Sequence, residues 1–252
     1  MRSSPFALPD RLIATPAEKR VAFLRGRSFA HRGLHGAGVI ENSRAAFRAA
    51  IAVGHGIECD VQAAQGGEAF VFHDDTLDRL TGESGALADR AAATLDTVAL
   101  SGTDEMLPRL TEMLALVSGR VPLLIEVKAG HGGIGPLCVS VRRALEGYRG
   151  PVAVMSFNPE VGRWFADHAP RLTRGLVVSE QGKPRLRGTA ERWLSLWRAR
   201  PDFLAYDVRD LPSRFAARAR RRDMPVLTWT VRDAAAEARA TAHADAPIYE
   251  RP

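Results

Sequence analysis

Apolar, β-rich runs alternate with Ala-, Arg- and Leu-rich helical stretches along almost the whole chain, and no other feature restricts the possible folds as much. Strands are expected at 28–31, 56–63, 122–128, 151–157, 174–179, 203–208, 225–231 and 246–250. Most are nearly continuous in Val, Ile, Leu and Phe, as strands buried on both faces of a parallel sheet are. Helices are expected between them at 43–53, 111–119, 135–148, 159–168, 190–200, 212–221 and 233–242. Ser43 and Asp233 are placed to cap two of these helices. Eight strands with seven intervening helices in 252 residues predict an α/β fold, the (β/α)8 TIM barrel. A doubly wound open sheet would place a Gly-rich phosphate turn after the first strand, and His31-Arg32-Gly33 is not one.

Two segments depart from the alternation. The run 69–73 follows Gln65-Gly66-Gly67 and reads as a hairpin extension of the second strand. The stretch 74–108 is rich in turn residues and reads as a small insertion over the barrel mouth, where loops carry specificity. Residues 28–252 form the barrel. Residues 1–27 form an N-terminal extension expected to pack on it, because Phe6, Leu8, Leu12, Ile13, Val21 and Leu24 are too apolar for a solvated tail.

Polar residues interrupt the strands in a pattern that packing does not require. Glu58 and Asp60 are two apart on one strand and so share a face, with Cys59 on the other. Adjacent like charges repel unless a cation lies between them. Glu126 adds a third acid on the next barrel strand, and Lys128 faces the same way, able to bind an anionic oxygen. Three carboxylates form a hard oxygen site, suited to Mg2+ or Ca2+ rather than zinc. His31 and His73 each end an apolar run and are the acid–base candidates. His35, His55, His131, His168 and His243 read as ordinary hydrogen-bonded residues. Arg32 offers a planar fork that suits phosphate or an ion pair. Glu41-Asn42 ends the loop after the first strand, where a capping role for Asn42 competes with a site role for both. Trp229, at another strand end, is read as an apolar wall, with Phe157 a weaker case of the same kind.

Charge and cysteine content narrow the class further. The net charge of +6 comes mostly from arginine, densest at Arg214, Arg218, Arg220, Arg221 and Arg222. No stacking aromatics are interleaved there, so the run reads as a solvated helix end and not as a nucleic-acid groove. Two cysteines give no disulfide framework. Neither a signal-peptide core nor a transmembrane run is present, and a cytoplasmic setting is expected. Oligomeric state is left open.

The ordered set His31-Arg32-Gly33, Glu41-Asn42, Glu58-Cys59-Asp60-Val61, His73-Asp74 with Leu77-Asp78-Arg79-Leu80-Thr81, Ile125-Glu126-Val127-Lys128 and Thr228-Trp229-Thr230-Val231 closely resembles the glycerophosphodiester phosphodiesterase family. The resemblance covers 28–252. It implies a TIM barrel with a small insertion after the second strand. It also implies an enzyme that hydrolyses small-molecule glycerophosphodiesters to glycerol 3-phosphate and an alcohol with a divalent cation. Under it, His31 and His73 are the general acid–base pair, Glu58, Asp60 and Glu126 are metal ligands, and Glu41 lies near the metal. Arg32 and Lys128 bind phosphate, and Trp229 lines the glycerol side. The chain departs from the family at Ile40, where proline is usual, and in its last strand, where a Gly-rich run ending Thr-Asp-x-Pro is common. The rival expectations are a lysophospholipase D acting on lysophospholipids and a non-catalytic phosphodiester-binding barrel.

Overall fold

The computed structural model describes residues 13–129, 133–182 and 184–250. Phe6, Leu8, Leu12 and His131 lie outside the described residues. The fold class is the (β/α)8 barrel, with one added strand. The helices and strands run in the order α1 (Glu18–Val21), β1 (Phe29–Ala30), α2 (Arg44–Ala52), β2 (Gly56–Ala63), β3 (Ala69–Val71), α3 (Ala92–Leu95), α4 (Leu110–Val117), β4 (Leu123–Val127), α5 (Gly135–Ala144), β5 (Val152–Ser156), α6 (Pro159–His168), β6 (Thr173–Val178), α7 (Arg185–Ala199), β7 (Phe203–Asp207), α8 (Arg214–Arg220), β8 (Val226–Val231), α9 (Ala234–His243) and β9 (Ala246–Tyr249). Contacts group the chain into two compact units. Among the described residues, one holds 29–154 with Glu250, and the other holds 13–28 and 155–249.

In the first unit β2 is central. It pairs in parallel with β1 and with β4, and the second register sets Asp60 beside Glu126. β3 folds back antiparallel on the far end of β2, pairing Val61 with Val71, as a hairpin extension should. The insertion has a core of its own: Leu87, Leu95, Val98, Leu100 and Leu107 pack with Phe70, Phe72 and Leu77. It is also tied to α2, because the Glu105 carboxylate accepts from the backbone N–H groups of Arg44 and Ala45 at 2.8 and 3.0 Å. A carboxylate there satisfies orphan donors at the positive end of the helix.

In the second unit β6, β7, β8 and β9 pair in parallel and in sequence. Leu176, Val178, Leu204, Tyr206 and Val226 pack with Leu196 and Ala199 of α7 and with Ile13. Arg20 donates to the Leu172 carbonyl at 2.5 Å and Gly26 to the Asp245 carbonyl at 3.1 Å, so residues 13–27 run past the leading ends of β6 and β9. Asp233 accepts from Ala236 N at 2.7 Å, as its expected capping role requires.

Candidate active site

Two tight turns present the residues that follow β1. Gly33 has φ +78°, and a Cβ there would lie 2.8 Å from that of Ala46, so only glycine lets this loop approach α2 so closely. Arg32 and Asn42 also have positive φ, 54° and 56°, which costs a residue with a side chain free energy and persists where surrounding bonds fix it. Those bonds are present. The Arg32 N–H donates to Glu58 Oε2 at 3.0 Å, and Asn42 N to the Arg32 carbonyl at 2.8 Å. Asn42 is not the helix cap. Ser43 fills that role, accepting from Ala46 N at 3.0 Å, while the Asn42 amide donates to Asp60 Oδ2 at 3.0 Å.

Strand alternation sets the acids. Glu58 and Asp60 are 1% and 2% exposed, and together with Glu126 they bring carboxylate oxygens within 4.8 Å of one another. Burial drives the Glu58 carboxyl well above its usual range, and Asp60 and Glu126 push the same way. Burial and then Asp60 push Glu126 up to about 7, against Lys128. Lys128 Nζ lies 3.5 Å from Asp60 Oδ1 and 3.6 Å from Glu126 Oε1. Burial pulls this ammonium down, but the two acids outweigh it and hold it above the ordinary lysine range. Arg32 Nη1 donates to Glu41 Oε1 at 2.8 Å. Its buried Nε sits 3.3 Å from Asp60 Oδ2 but is not aligned for a hydrogen bond. Three crowded carboxyls, two of them pushed toward their protonated form, with one lysine on their flank, fit a small hard cation.

Both imidazoles are held through Nδ1. His31 Nδ1 donates to Glu250 Oε1 at 2.5 Å, and Nε2 faces Glu58 Oε2 at 3.8 Å. Burial lowers the His31 pKa more than the bond to Glu250 raises it. His73 Nδ1 bonds Asp74 Oδ1 at 2.6 Å, and Gln62, two residues beyond Asp60, donates to the His73 carbonyl at 2.9 Å. Asp74 is held down at about 2, first by the Arg79 hydrogen bond. Arg79 also donates to both oxygens of Glu41, at 2.7 and 3.1 Å. A continuous polar chain therefore runs from His73 through Asp74, Arg79 and Glu41 to Arg32. Burial pushes Glu41 up, yet its two arginines together hold it below its usual value.

The sequence-predicted residues Arg32, Glu41, Glu58, Asp60, Glu126 and Lys128 thus meet in one cluster. His31 borders it, and His73 is linked to it by the polar chain. Trp229 lies within β8, half-buried, with its Nε1 donating to the Ala205 carbonyl at 3.0 Å and Phe157 edge-on at 5.5 Å. Glu250 and Arg79 were not singled out as site residues. Alternation along β9 is the signal for Glu250, since Ala246 and Ile248 on the same face are buried. His35, expected to be ordinary, has a buried Nε2 without a hydrogen bond, 3.9 Å from Glu250. His31, His35 and Glu250 also converge within 4.8 Å, but there the carboxylate already accepts the Nδ1 proton of His31.

Residues 31–251 match the Glycerophosphoryl diester phosphodiesterase family. A curated glycerophosphodiester phosphodiesterase from Caldanaerobacter subterraneus subsp. tengcongensis is 33% identical over 159 residues, which is 59% of this chain; the match spans 65% of that relative's length. A solved Oleispira antarctica phosphodiesterase, in complex with the product sn-glycerol-3-phosphate, superposes with a TM-score of 0.78 at 22% identity, covering 90% of this chain and 93% of that one. The glycerophosphodiester phosphodiesterase of Thermotoga maritima gives a TM-score of 0.70 at 22% identity, covering 88% and 93%. At these identities the structural likeness is one of fold.

Proposed function

Since the chain belongs to the glycerophosphoryl diester phosphodiesterase family, we propose that it hydrolyses glycerophosphodiesters to glycerol 3-phosphate and an alcohol. The observation that carries this reading is the cluster of Glu58, Asp60 and Glu126 beside Arg32 and Lys128, with an imidazole on its border. Glu58, Asp60 and Glu126 would hold a divalent cation, Mg2+ or Ca2+, with Glu41 steadying Arg32 beside them. A cation bound there supplies positive charge against the non-bridging oxygens of the phosphate.

The remaining work falls to the side chains of this protein. Arg32 and Lys128 stabilise the charge that builds on the equatorial oxygens. His31 donates its Nδ1–H to Glu250 in a hydrogen bond, which leaves Nε2 as the basic atom, and burial disfavours the charged form of the ring. His73 is oriented by Asp74 in the same way. One imidazole removes a proton from the attacking oxygen as it bonds to phosphorus, and the other protonates the alkoxide as its P–O bond breaks; where the attacking oxygen is the glycerol 2-hydroxyl, water then opens the cyclic phosphate to glycerol 3-phosphate. Trp229 would pack against the apolar face of the glycerol. Both cysteines are buried and free, which supports a reducing, cytoplasmic setting.

One observation favours lysophospholipids as a second substrate class. Phe157 is 49% exposed against Trp229, the apolar rim such a substrate needs. A panel of glycerophosphodiesters and lysophospholipids, assayed with each cation for glycerol 3-phosphate and lysophosphatidate release, tests both readings. Glycerol 3-phosphate from the water-soluble diesters is expected. Inertness toward the whole panel would leave a phosphodiester-binding barrel.

A further inference from the structure

Helix α7 carries apolar side chains on its outer face as well as its inner one. Its inner face packs through Leu196 and Ala199. Leu186, Ala190, Leu194 and Trp197 then recur at helical spacing on a different face. Leu186 is 87% exposed, Leu194 61% and Trp197 51%, three of the six large hydrophobics exposed among the described residues. A surface stripe of leucine and tryptophan is not explained by folding, since burying it would stabilise the protein and exposing it does not.

Arginine is frequent around it. Residues 185–200 contain five arginines, of which Arg187, Arg192 and Arg198 are ion-paired with Glu191, Glu180 and Glu160. Helix α8 packs alongside, with the Phe215 ring 5.0 Å from Trp193 and the Arg218 guanidinium 5.9 Å from the Trp193 ring. Beyond that contact Arg214, Arg221 and Arg222 are exposed. The arginine run that reads in isolation as a solvated helix end therefore lies on the helix that packs against α7 through Trp193. A leucine–tryptophan stripe with exposed arginines on the neighbouring helix is the composition of a surface that rests on a bilayer, the rings and aliphatic chains entering the headgroup layer and the guanidinium groups meeting anionic lipid. A second copy of the chain fits less well, because a two-fold contact on this face brings like arginines together.

We propose that the outer face of α7, with the exposed arginines of α8, docks this protein on anionic lipid bilayers. The docking surface goes beyond the reading of the active site and stands without it. The test is co-sedimentation of the full chain with vesicles of phosphatidylglycerol and phosphatidylcholine, against vesicles of phosphatidylcholine alone, at low and high salt. Binding to the anionic vesicles is expected, at least about ten-fold tighter than to the neutral ones and weakened by salt. Leu194→Ser with Trp197→Ser, and separately Arg214→Gln with Arg221→Gln and Arg222→Gln, should each weaken binding about ten-fold or more. Both variants should keep the wild-type melting profile and the wild-type rate on a water-soluble diester. Three results would overturn the proposal: no binding of wild type to anionic vesicles, equal binding to both vesicle types, or full binding by both variants. A stable dimer that the Leu194 and Trp197 substitutions dissociate would assign the face to self-association instead.

Discussion

In the proposed mechanism the two histidines depend on the groups that hold their Nδ1 atoms. His31→Ala and His73→Ala should each lower kcat by roughly 10²–10⁴-fold, the range of a general acid or base, with an unchanged circular-dichroism spectrum. Glu250→Gln is the subtler test. It keeps the size of the side chain and removes the negative charge that fixes the His31 tautomer across 2.5 Å. A fall of about ten-fold or more in kcat with little change in KM is expected. An unchanged kcat would remove Glu250 from the account. Most of this site was legible in the sequence, because acids and imidazoles at the ends of apolar strands contradict their surroundings and so stand out. Glu250 is marked only by its alternation with Ala246 and Ile248, and nothing in the sequence links it to His31, 219 positions away. Arg79 was quoted only within a motif, and its bridge from Asp74 to Glu41 exists only in three dimensions.

At the scale of elements, the insertion is a packed structure and does more than cover. Its Glu105 holds the N-terminus of α2, the helix that begins directly after the Asn42-Ser43 turn. Glu105→Ala should therefore cost about 1–2 kcal/mol by denaturant unfolding, the range for losing a capping carboxylate. Leu95→Ala, in the core of the insertion, should cost about 2–5 kcal/mol. Strands and long helices were readable from hydrophobic period. The start of α7 was not: the helix begins at Arg185, where 190 was expected, because Leu186 and Arg187 are exposed and the stretch before 190 lacks a core-facing pattern. The insertion's core was also hidden, since Leu87, Leu95, Val98, Leu100 and Leu107 follow no single period.

For the molecule as a whole, the crowded acids couple stability to protons and, under the role proposed for them, to a cation. A carboxyl whose folded-state pKa is raised binds its proton more tightly when folded, so its contribution is greatest below its ordinary value of 4.5 and is lost as pH rises through about 7. Glu126 and Glu58 both act in this direction. His31, lowered by burial, acts oppositely as pH falls below 6.5, so Glu126→Gln is the comparison that separates them. Without metal, Glu126→Gln should melt higher than wild type at pH 8 and no higher at pH 5. Added Mg2+ or Ca2+ should raise the wild-type melting temperature more at pH 8, where protons compete less for the same oxygens, and should raise that of the variant less.

The most direct measurement is glycerol 3-phosphate release from a water-soluble glycerophosphodiester by protein stripped of metal, before and after a divalent cation is returned. Release should be absent from the stripped protein and recover with Mg2+ or Ca2+. Full-rate release while a chelator is present in excess would contradict the role given to Glu58, Asp60 and Glu126.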